Sequence, residues 1–82
     1  MSLRIQLFGP LADAAGSRDI RVDAQGGTLR AAQVIDRIGQ VEPRLRPMLG
    51  SARLAVNCSF VGPEHVVRES DELALIGLVS GG

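Results

Sequence analysis

The sequence predicts an α+β fold in which a mixed sheet of four to five strands packs on one main helix. Short segments in which apolar and polar residues alternate lie on both sides of one longer segment with helical spacing. Glycine and proline separate these segments. A chain of 82 residues has room for one domain with a small core. We therefore expect residues 1–82 to form a single domain whose last residues, 79–82, are a flexible tail.

The N-terminal part predicts a hairpin of two strands. In residues 3–8 every second residue is apolar, and the residues that would face the core are Leu3, Ile5 and Leu7. A Gly-Pro pair breaks this strand, residues 11–15 can form one helical turn, and Gly16 would close that turn in the left-handed conformation. Alternation resumes over residues 18–23, which predicts the second strand.

One long helix is predicted after a turn at residues 25–27. Its apolar positions fall on one helical face, and they are Ala31, Val34, Ile35, Ile38 and Val41. Thr28 is a favourable N-cap residue. We expect the helix to run over residues 29–41, until Pro43 stops it.

The C-terminal part predicts the remaining strands. Residues 53–57 form one strand, a turn leads to a short strand at residues 60–61, and residues 73–78 form the last. Residues 66–67 supply apolar anchors between them. One helix that lies between an N-terminal hairpin and later strands of the same sheet is the arrangement of a ubiquitin-like β-grasp.

A helix covers one face of such a sheet and leaves the other face open. In the first strand Phe8 lies opposite the core residues, and in the last strand Ile76 lies opposite Leu73 and Leu75. Phe60 lies on the same face if the turn before it preserves the alternation of side chains between the two faces of the sheet. Large apolar side chains that lie exposed and close together indicate a partner-binding site. The alternative is that the short helix or loops cover them.

The last residues of the sequence are Val79-Ser80-Gly81-Gly82. One interpretation is an ordinary frayed end. The other is that the carboxylate of Gly82 is the reactive group, which must be activated, usually by adenylation with ATP, before a nucleophile can attack it. A tail that reaches a nucleotide buried in an activating enzyme must be thin and flexible, and two glycines provide both properties.

The composition argues against several other classes of protein. Nine basic and nine acidic residues give zero net charge, which does not favour a nucleic-acid partner or a polybasic membrane anchor. One cysteine, Cys58, and one histidine, His65, cannot build a tetrahedral zinc site or an internal disulfide. We expect Cys58 to be a turn or core thiol and His65 to be a surface residue. The N-terminal segment lacks the pattern of a signal peptide, so we expect a cytoplasmic protein.

Together these features resemble the MoaD/ThiS family of β-grasp sulfur-carrier proteins, and most closely the small subunit of molybdopterin synthase. The resemblance covers nearly the whole chain. The segments that carry it are residues 5–16, Thr28 at the start of the helix, residues 55–57, and residues 71–76 together with residues 79–82. The full C-terminal pattern is specific, whereas a Gly-Gly pair alone is not.

What the resemblance implies is a sulfur carrier. The carboxylate of Gly82, which follows Gly81, is adenylated by a ubiquitin-activating-type enzyme that uses Mg-ATP, and a sulfur donor converts it to a thiocarboxylate. The tail then enters the large subunit of molybdopterin synthase and gives sulfur to cyclic pyranopterin monophosphate, which builds the dithiolene of molybdopterin. The catalytic side chains belong to these partners, and this chain itself would bind no cofactor and no metal.

The resemblance also implies which residues meet the partners. Phe8, Phe60 and Ile76 match positions that present apolar contacts to both partners. The tail residues that would join them are Leu78, Val79 and Ser80. Two of the segments that depart from the family pattern lie near the C-terminus. Gly77-Leu78 stands where a Pro-Pro pair is common, and Ser70 replaces a turn glycine, where it would need a positive φ.

Three other functions stay open at this level. The chain can carry sulfur for another pathway, such as formation of the thiamine thiazole. It can be a ubiquitin-like protein modifier that joins Gly82 to lysines of target proteins. Because it contains no lysine, such a modifier could not form lysine-linked chains on itself. It can also be a plain β-grasp interaction module with an idle tail.

Overall fold

The computed structural model describes residues 2–24 and 28–77. The predicted turn at residues 25–27 and the C-terminal residues 78–82 lie outside the described part. The described elements, in chain order, are β1 (Ser2–Leu7), α1 (Pro10–Ala15), β2 (Asp19–Asp23), β3 (Thr28–Arg30), α2 (Ala31–Val41), a 3₁₀ helix (Pro43–Leu45), α3 (Arg46–Leu49), β4 (Ala52–Val56), β5 (Ser59–Phe60), β6 (Val66–Arg68) and β7 (Leu73–Gly77).

Five of the strands form one mixed sheet in the order β2-β1-β7-β4-β5. β1 and β7 are parallel, and the other neighbouring pairs are antiparallel. Parallel strands require a long crossover connection, and here the chain between β1 and β7 includes α2. The structure therefore confirms the predicted α+β class and the ubiquitin-like β-grasp, with five strands in the mixed sheet.

The core lies between the sheet and α2. Alternation along the strands places one face of the sheet inward. The buried residues on that face are Leu3, Ile5, Leu7, Val22, Leu54, Val56, Leu73 and Leu75. From the other side α2 contributes Ala31, Val34 and Ile38, which the helical spacing predicted. Val41, predicted on the same helical face, is 53% exposed because it ends the helix.

The predicted start of the helix at residue 29, with Thr28 as its N-cap, is wrong. Residues 28–30 form β3, which pairs antiparallel with β6 in a second, two-stranded sheet, and α2 begins at Ala31. Leu29 is buried between two exposed neighbours, so this segment alternates as a strand does. The backbone N–H of Arg30 donates to the side-chain oxygen of Gln33 at 2.8 Å, which satisfies one donor at the helix start.

The described turns use positive φ at Gly16, as the sequence suggested, but elsewhere at positions that it did not indicate. Gly16 ends α1 at φ 69°, as predicted. Asn57 and Cys58 connect β4 to β5 at φ 51° and 70°, the geometry of a two-residue hairpin turn. The expected positive φ at Ser70 is wrong. The backbone N–H of Asp71 donates to the Arg68 carbonyl at 3.0 Å, and such a turn closes without a left-handed residue.

In residues 2–24 and 28–77, no helix combines the length and apolar character needed to cross a membrane.

Candidate functional site

The face of the sheet that points away from α2 carries a row of paired residues. Gln6 pairs with Ala74, Ala74 with Ala55, and Ala55 with Phe60, across β1, β7, β4 and β5. Residues that pair across strands project on the same side of the sheet, and these alternate with the core residues. We call this side the open face.

Phe8, Phe60 and Ile76 come together around this row. All three line one groove of about 260 Å³, which we call the open-face groove. Phe8 is 51% and Phe60 48% exposed, and Ile76 is half-buried. The structure thus places the three predicted apolar residues around one groove. It also shows that Phe60 lies on the same face of the sheet as Ile76. Their contact with a partner stays a prediction.

The floor of the groove is made of small side chains. Ala55 is only 6% exposed, although it does not belong to the buried cluster between the sheet and α2. Ala74 lies next to it and is half-buried. Two alanines between larger side chains leave a shallow apolar recess that a side chain of another protein can fill.

The predicted reactive residues follow the last strand in the sequence. Gly81 and Gly82, and the predicted contact residues Leu78, Val79 and Ser80, lie outside the described residues. The last described residue is Gly77, which pairs with Ala52 at the end of β7. Its neighbour Ile76 lines the groove, so the groove adjoins the point from which the chain continues toward Gly82.

Sequence reasoning missed an arginine beside the groove. The guanidinium carbon of Arg53 lies 4.9 Å from the centre of the Phe60 ring. Arg53 also pairs across the strands with Ile76. The signal in the sequence is the two-residue turn between β4 and β5, which fixes the register and makes Arg53 a diagonal neighbour of Phe60.

A hydrogen-bond network fixes the turn that carries Cys58 to the loop before β7. The side-chain amide of Asn57 donates to Asp71 Oδ1 at 3.1 Å, and the backbone N–H of Glu72 donates to Asn57 Oδ1 at 3.0 Å. The backbone N–H of Arg68 donates to Asp71 Oδ2 at 2.8 Å. These bonds fix the turn between β4 and β5, and with it the start of β5, to the loop before β7.

The same network lowers the pKa of the Asp71 carboxyl. The backbone hydrogen bond from Arg68 is the largest cause, followed by the side-chain hydrogen bond from Asn57. Both bonds favour the ionised carboxylate. Because the pKa is lower in the folded than in the unfolded chain, Asp71 stabilises the fold above the unfolded value of about 4. That stabilisation is lost as the pH falls through the folded value.

We expect the free energy of unfolding to show this loss in the acidic range, as the pH falls below the unfolded value of about 4. Asp71→Asn should be less stable than the wild type at pH 7 and should lose less stability over that range. Urea unfolding followed by circular dichroism at several pH values measures both effects. Glu69→Gln, an exposed acid of the same loop, is the matched control. Equal pH profiles for Asp71→Asn and the wild type would show that the network contributes nothing.

Cys58 and His65 both lie at the surface of the described structure. Cys58 lies exposed in its turn at the edge of the open-face groove, as a turn thiol. His65 is a surface residue whose backbone carbonyl accepts a hydrogen bond from Ala31 at 2.8 Å. Within residues 2–24 and 28–77, no group of three His, Cys, Asp or Glu side chains is placed to hold a metal ion.

Comparison with known proteins agrees with this fold. The model of the ThiS family matches residues 5–82. SAMP1 from Haloferax volcanii has a TM-score of 0.84 and 29% sequence identity, with 100% of both chains covered. Comparison with curated protein sequences gives no significant match.

Two further structures have the same fold at lower identity. The putative molybdopterin converting factor, subunit 1, from Pyrococcus furiosus has a TM-score of 0.81 and 15% identity, over 96% of this chain and 99% of that chain. A chain from the complex of subunits 1 and 2 of the molybdopterin-converting factor of Helicobacter pylori 26695 has a TM-score of 0.66 and 20% identity, with 100% of both chains covered.

Proposed function

This chain belongs to the ThiS family and is a ubiquitin-like sulfur carrier of the ThiS/MoaD type, and we propose that it is the sulfur-donating small subunit of a molybdopterin synthase. The proposed reactive group is the carboxylate of Gly82. The proposed sulfur acceptor is cyclic pyranopterin monophosphate. In this role the chain supplies a tail and a docking face, and its partners supply the catalytic side chains.

The proposal requires an activation step, because a carboxylate is a poor electrophile. One carboxylate oxygen of Gly82 attacks the α-phosphorus of Mg-bound ATP in an adenylyltransferase of the ubiquitin-activating type, and pyrophosphate leaves. Hydrosulfide (HS⁻) released by the sulfur donor then attacks the acyl carbon, AMP leaves with the bonding electrons, and loss of the S–H proton gives the thiocarboxylate. ATP and Mg belong to the activating partner in this scheme.

The observation that carries the proposal is the position of the open-face groove. Ile76 lines the groove, and the next residue, Gly77, ends β7. A partner that binds the groove therefore holds the chain at the base of residues 78–82. Five residues span at most about 17 Å when extended, enough to carry a carboxylate from the docking face into a buried site of the partner.

Two neighbours support a large-subunit partner. The Pyrococcus furiosus protein is described as subunit 1 of a molybdopterin converting factor, and the Helicobacter pylori structure is a complex of subunits 1 and 2. The apolar character of the groove suits such a complex. Exposed aromatic side chains around a small recess are typical of the residues that dominate binding energy at protein interfaces.

A second candidate function is that of a protein modifier. The neighbour with 29% identity is SAMP1 from Haloferax volcanii, a small archaeal modifier protein. A modifier would use the same activated Gly82 carboxylate, but the acceptor would be a lysine amine of another protein. The two functions therefore share the activation step and differ in the acceptor.

A reconstituted reaction tests the proposal. It contains this chain, the activating enzyme, Mg-ATP, a sulfur donor and the large synthase subunit from the organism that encodes the chain, with cyclic pyranopterin monophosphate as acceptor. We expect molybdopterin to form and two thiocarboxylate chains to be consumed per product, because a dithiolene holds two sulfur atoms. A thiolated chain that gives no molybdopterin, but thiazole or lysine-linked adducts, would contradict it in favour of another carrier pathway or the modifier.

A further inference from the structure

Arg53 is a charged residue beside the open-face groove that the scheme above does not use. Phe60 pairs with Ala55, so Arg53, two residues before Ala55, is its diagonal neighbour on the same face. The guanidinium carbon lies 4.9 Å from the ring centre, within the range of a cation–π contact. Arg53 also lies opposite Ile76. It is therefore held next to two of the three large apolar residues of the groove.

The hydrogen-bond donors of Arg53 are unused in the described structure. A guanidinium that stacks on a ring presents its flat side to the ring, and its N–H groups point outward in its plane. Within the described ranges, 2–24 and 28–77, no carboxylate and no hydrogen-bond acceptor pairs with the exposed Arg53 side chain. Other arginines of the chain have carboxylate partners at 2.8–3.0 Å, and these are Arg4, Arg30 and Arg44.

The charges at the two ends of the groove have opposite signs. Glu72 lines the groove just before Leu73, whereas Arg53 lies beside Ile76 and the end of β7. Four residues of strand separate these two positions along β7, which corresponds to about 13 Å. A complementary protein surface therefore carries its acidic group near Gly77 rather than near Glu72, since a second acid beside Glu72 would be repelled.

We propose that Arg53 is a specificity-determining docking residue that binds an Asp or Glu carboxylate of the partner protein on the open face. Its guanidinium would donate two parallel N–H bonds to that carboxylate while it stays stacked on Phe60. The inference rests on the proposed function, which puts a partner on this face. It adds the chemistry of the partner's surface, which is apolar opposite the groove and acidic at the base of the tail.

Calorimetric titration of the chain with the large synthase subunit of the same organism tests the assignment. We expect Arg53→Ala to weaken binding about 30-fold or more, and Arg53→Glu to weaken it further because two carboxylates would then face each other. The affinity of the wild type should fall as NaCl rises from about 50 to about 500 mM, and the fall should be smaller for Arg53→Ala.

Two further variants separate the charge of Arg53 from its packing. Arg53→Met keeps an unbranched stem over Phe60 without the charge, and we expect it to bind as weakly as Arg53→Ala. Arg21→Ala removes the same charge from β2, at the far edge of the sheet. We expect this control to change the affinity less than about threefold. All variants should melt within about 5 °C of the wild type.

Wild-type affinity and salt dependence in Arg53→Met would overturn the assignment, because Arg53 would then act only as an apolar cover for Phe60. Failure of the wild-type chain to bind the large subunit would instead contradict the proposed function. In that case the wild type and the Arg53 variants are titrated with the activating enzyme, which must hold the same tail. Weaker binding by Arg53→Met would then support the role of Arg53, and wild-type binding would contradict it.

Discussion

Deletion of Gly82 is expected to lower molybdopterin formation in the reconstituted reaction more than about 100-fold and to leave the melting temperature unchanged. The truncated chain ends in a Gly81 carboxylate that lies about 3.3 Å short of the reactive position. A displacement of about 1 Å already costs about 100-fold in rate when a reacting group is held in place by its surroundings. The buried cluster of the described residues lies between Leu3 and Leu75, so we expect folding not to depend on Gly82.

Gly82→Ala is the matched control for the deletion, because it keeps the carboxylate at its full reach. It should retain more activity than the deletion variant. The product is measured after fixed times with equal amounts of each chain, and circular dichroism reports the fold. If the truncated chain supports wild-type product formation, the tail is idle and the chain is an interaction module rather than a carrier.

A charge at Ile76 is expected to remove partner binding, whereas the same charge at Leu75 removes the fold. These neighbours in β7 lie on opposite faces of the sheet. Leu75 is fully buried, while Ile76 is half-buried in the open-face groove. An unpaired carboxylate at position 75 costs several kcal/mol, which is a large part of the stability of so small a domain. At position 76 the carboxylate stays in contact with water until a partner covers it.

Leu75→Asp should therefore be unfolded or strongly destabilised in thermal melts. Ile76→Asp should melt as a folded protein and bind the large subunit about 30-fold more weakly or worse. Phe8→Asp should behave as Ile76→Asp does, since Phe8 is 51% exposed on the same groove. An unfolded Ile76→Asp variant would show that the open face is part of the core. Wild-type binding by a folded Ile76→Asp variant would show that the partner docks elsewhere.

The sequence predicted the strands and the helix that are long enough to show a clear repeat of apolar residues. Alternation in β1 and β7 and the helical spacing in α2 identified the core face of each element. The open face was then the opposite face of the sheet, which the helix does not cover. β3 and β6 have three residues each, which is too short for a period to be distinct. They stabilise each other through pairing between Leu29 and Val67, which are far apart in the sequence.

Some residues of the candidate site could likewise be predicted from the alternation along a strand, and others could not. Phe8 and Ile76 could be assigned from strand phase, since each continues an alternating segment. Phe60 follows a turn, and its face depends on the turn having two residues, Asn57 and Cys58, at positive φ. The contact of Arg53 with Phe60 depends in turn on that register. Sequence periodicity does not report a diagonal contact between two strands, so it identifies Arg53 only when the length of the turn between β4 and β5 is known.

Thiolation of Gly82 is tested by the intact mass of the chain after incubation with its activating enzyme, Mg-ATP and a sulfur donor. We expect a one-for-one exchange of oxygen for sulfur at Gly82, which is lost when Gly82 is deleted. An unchanged mass, under conditions in which a control carrier is thiolated, would contradict the assignment of a Gly82 thiocarboxylate.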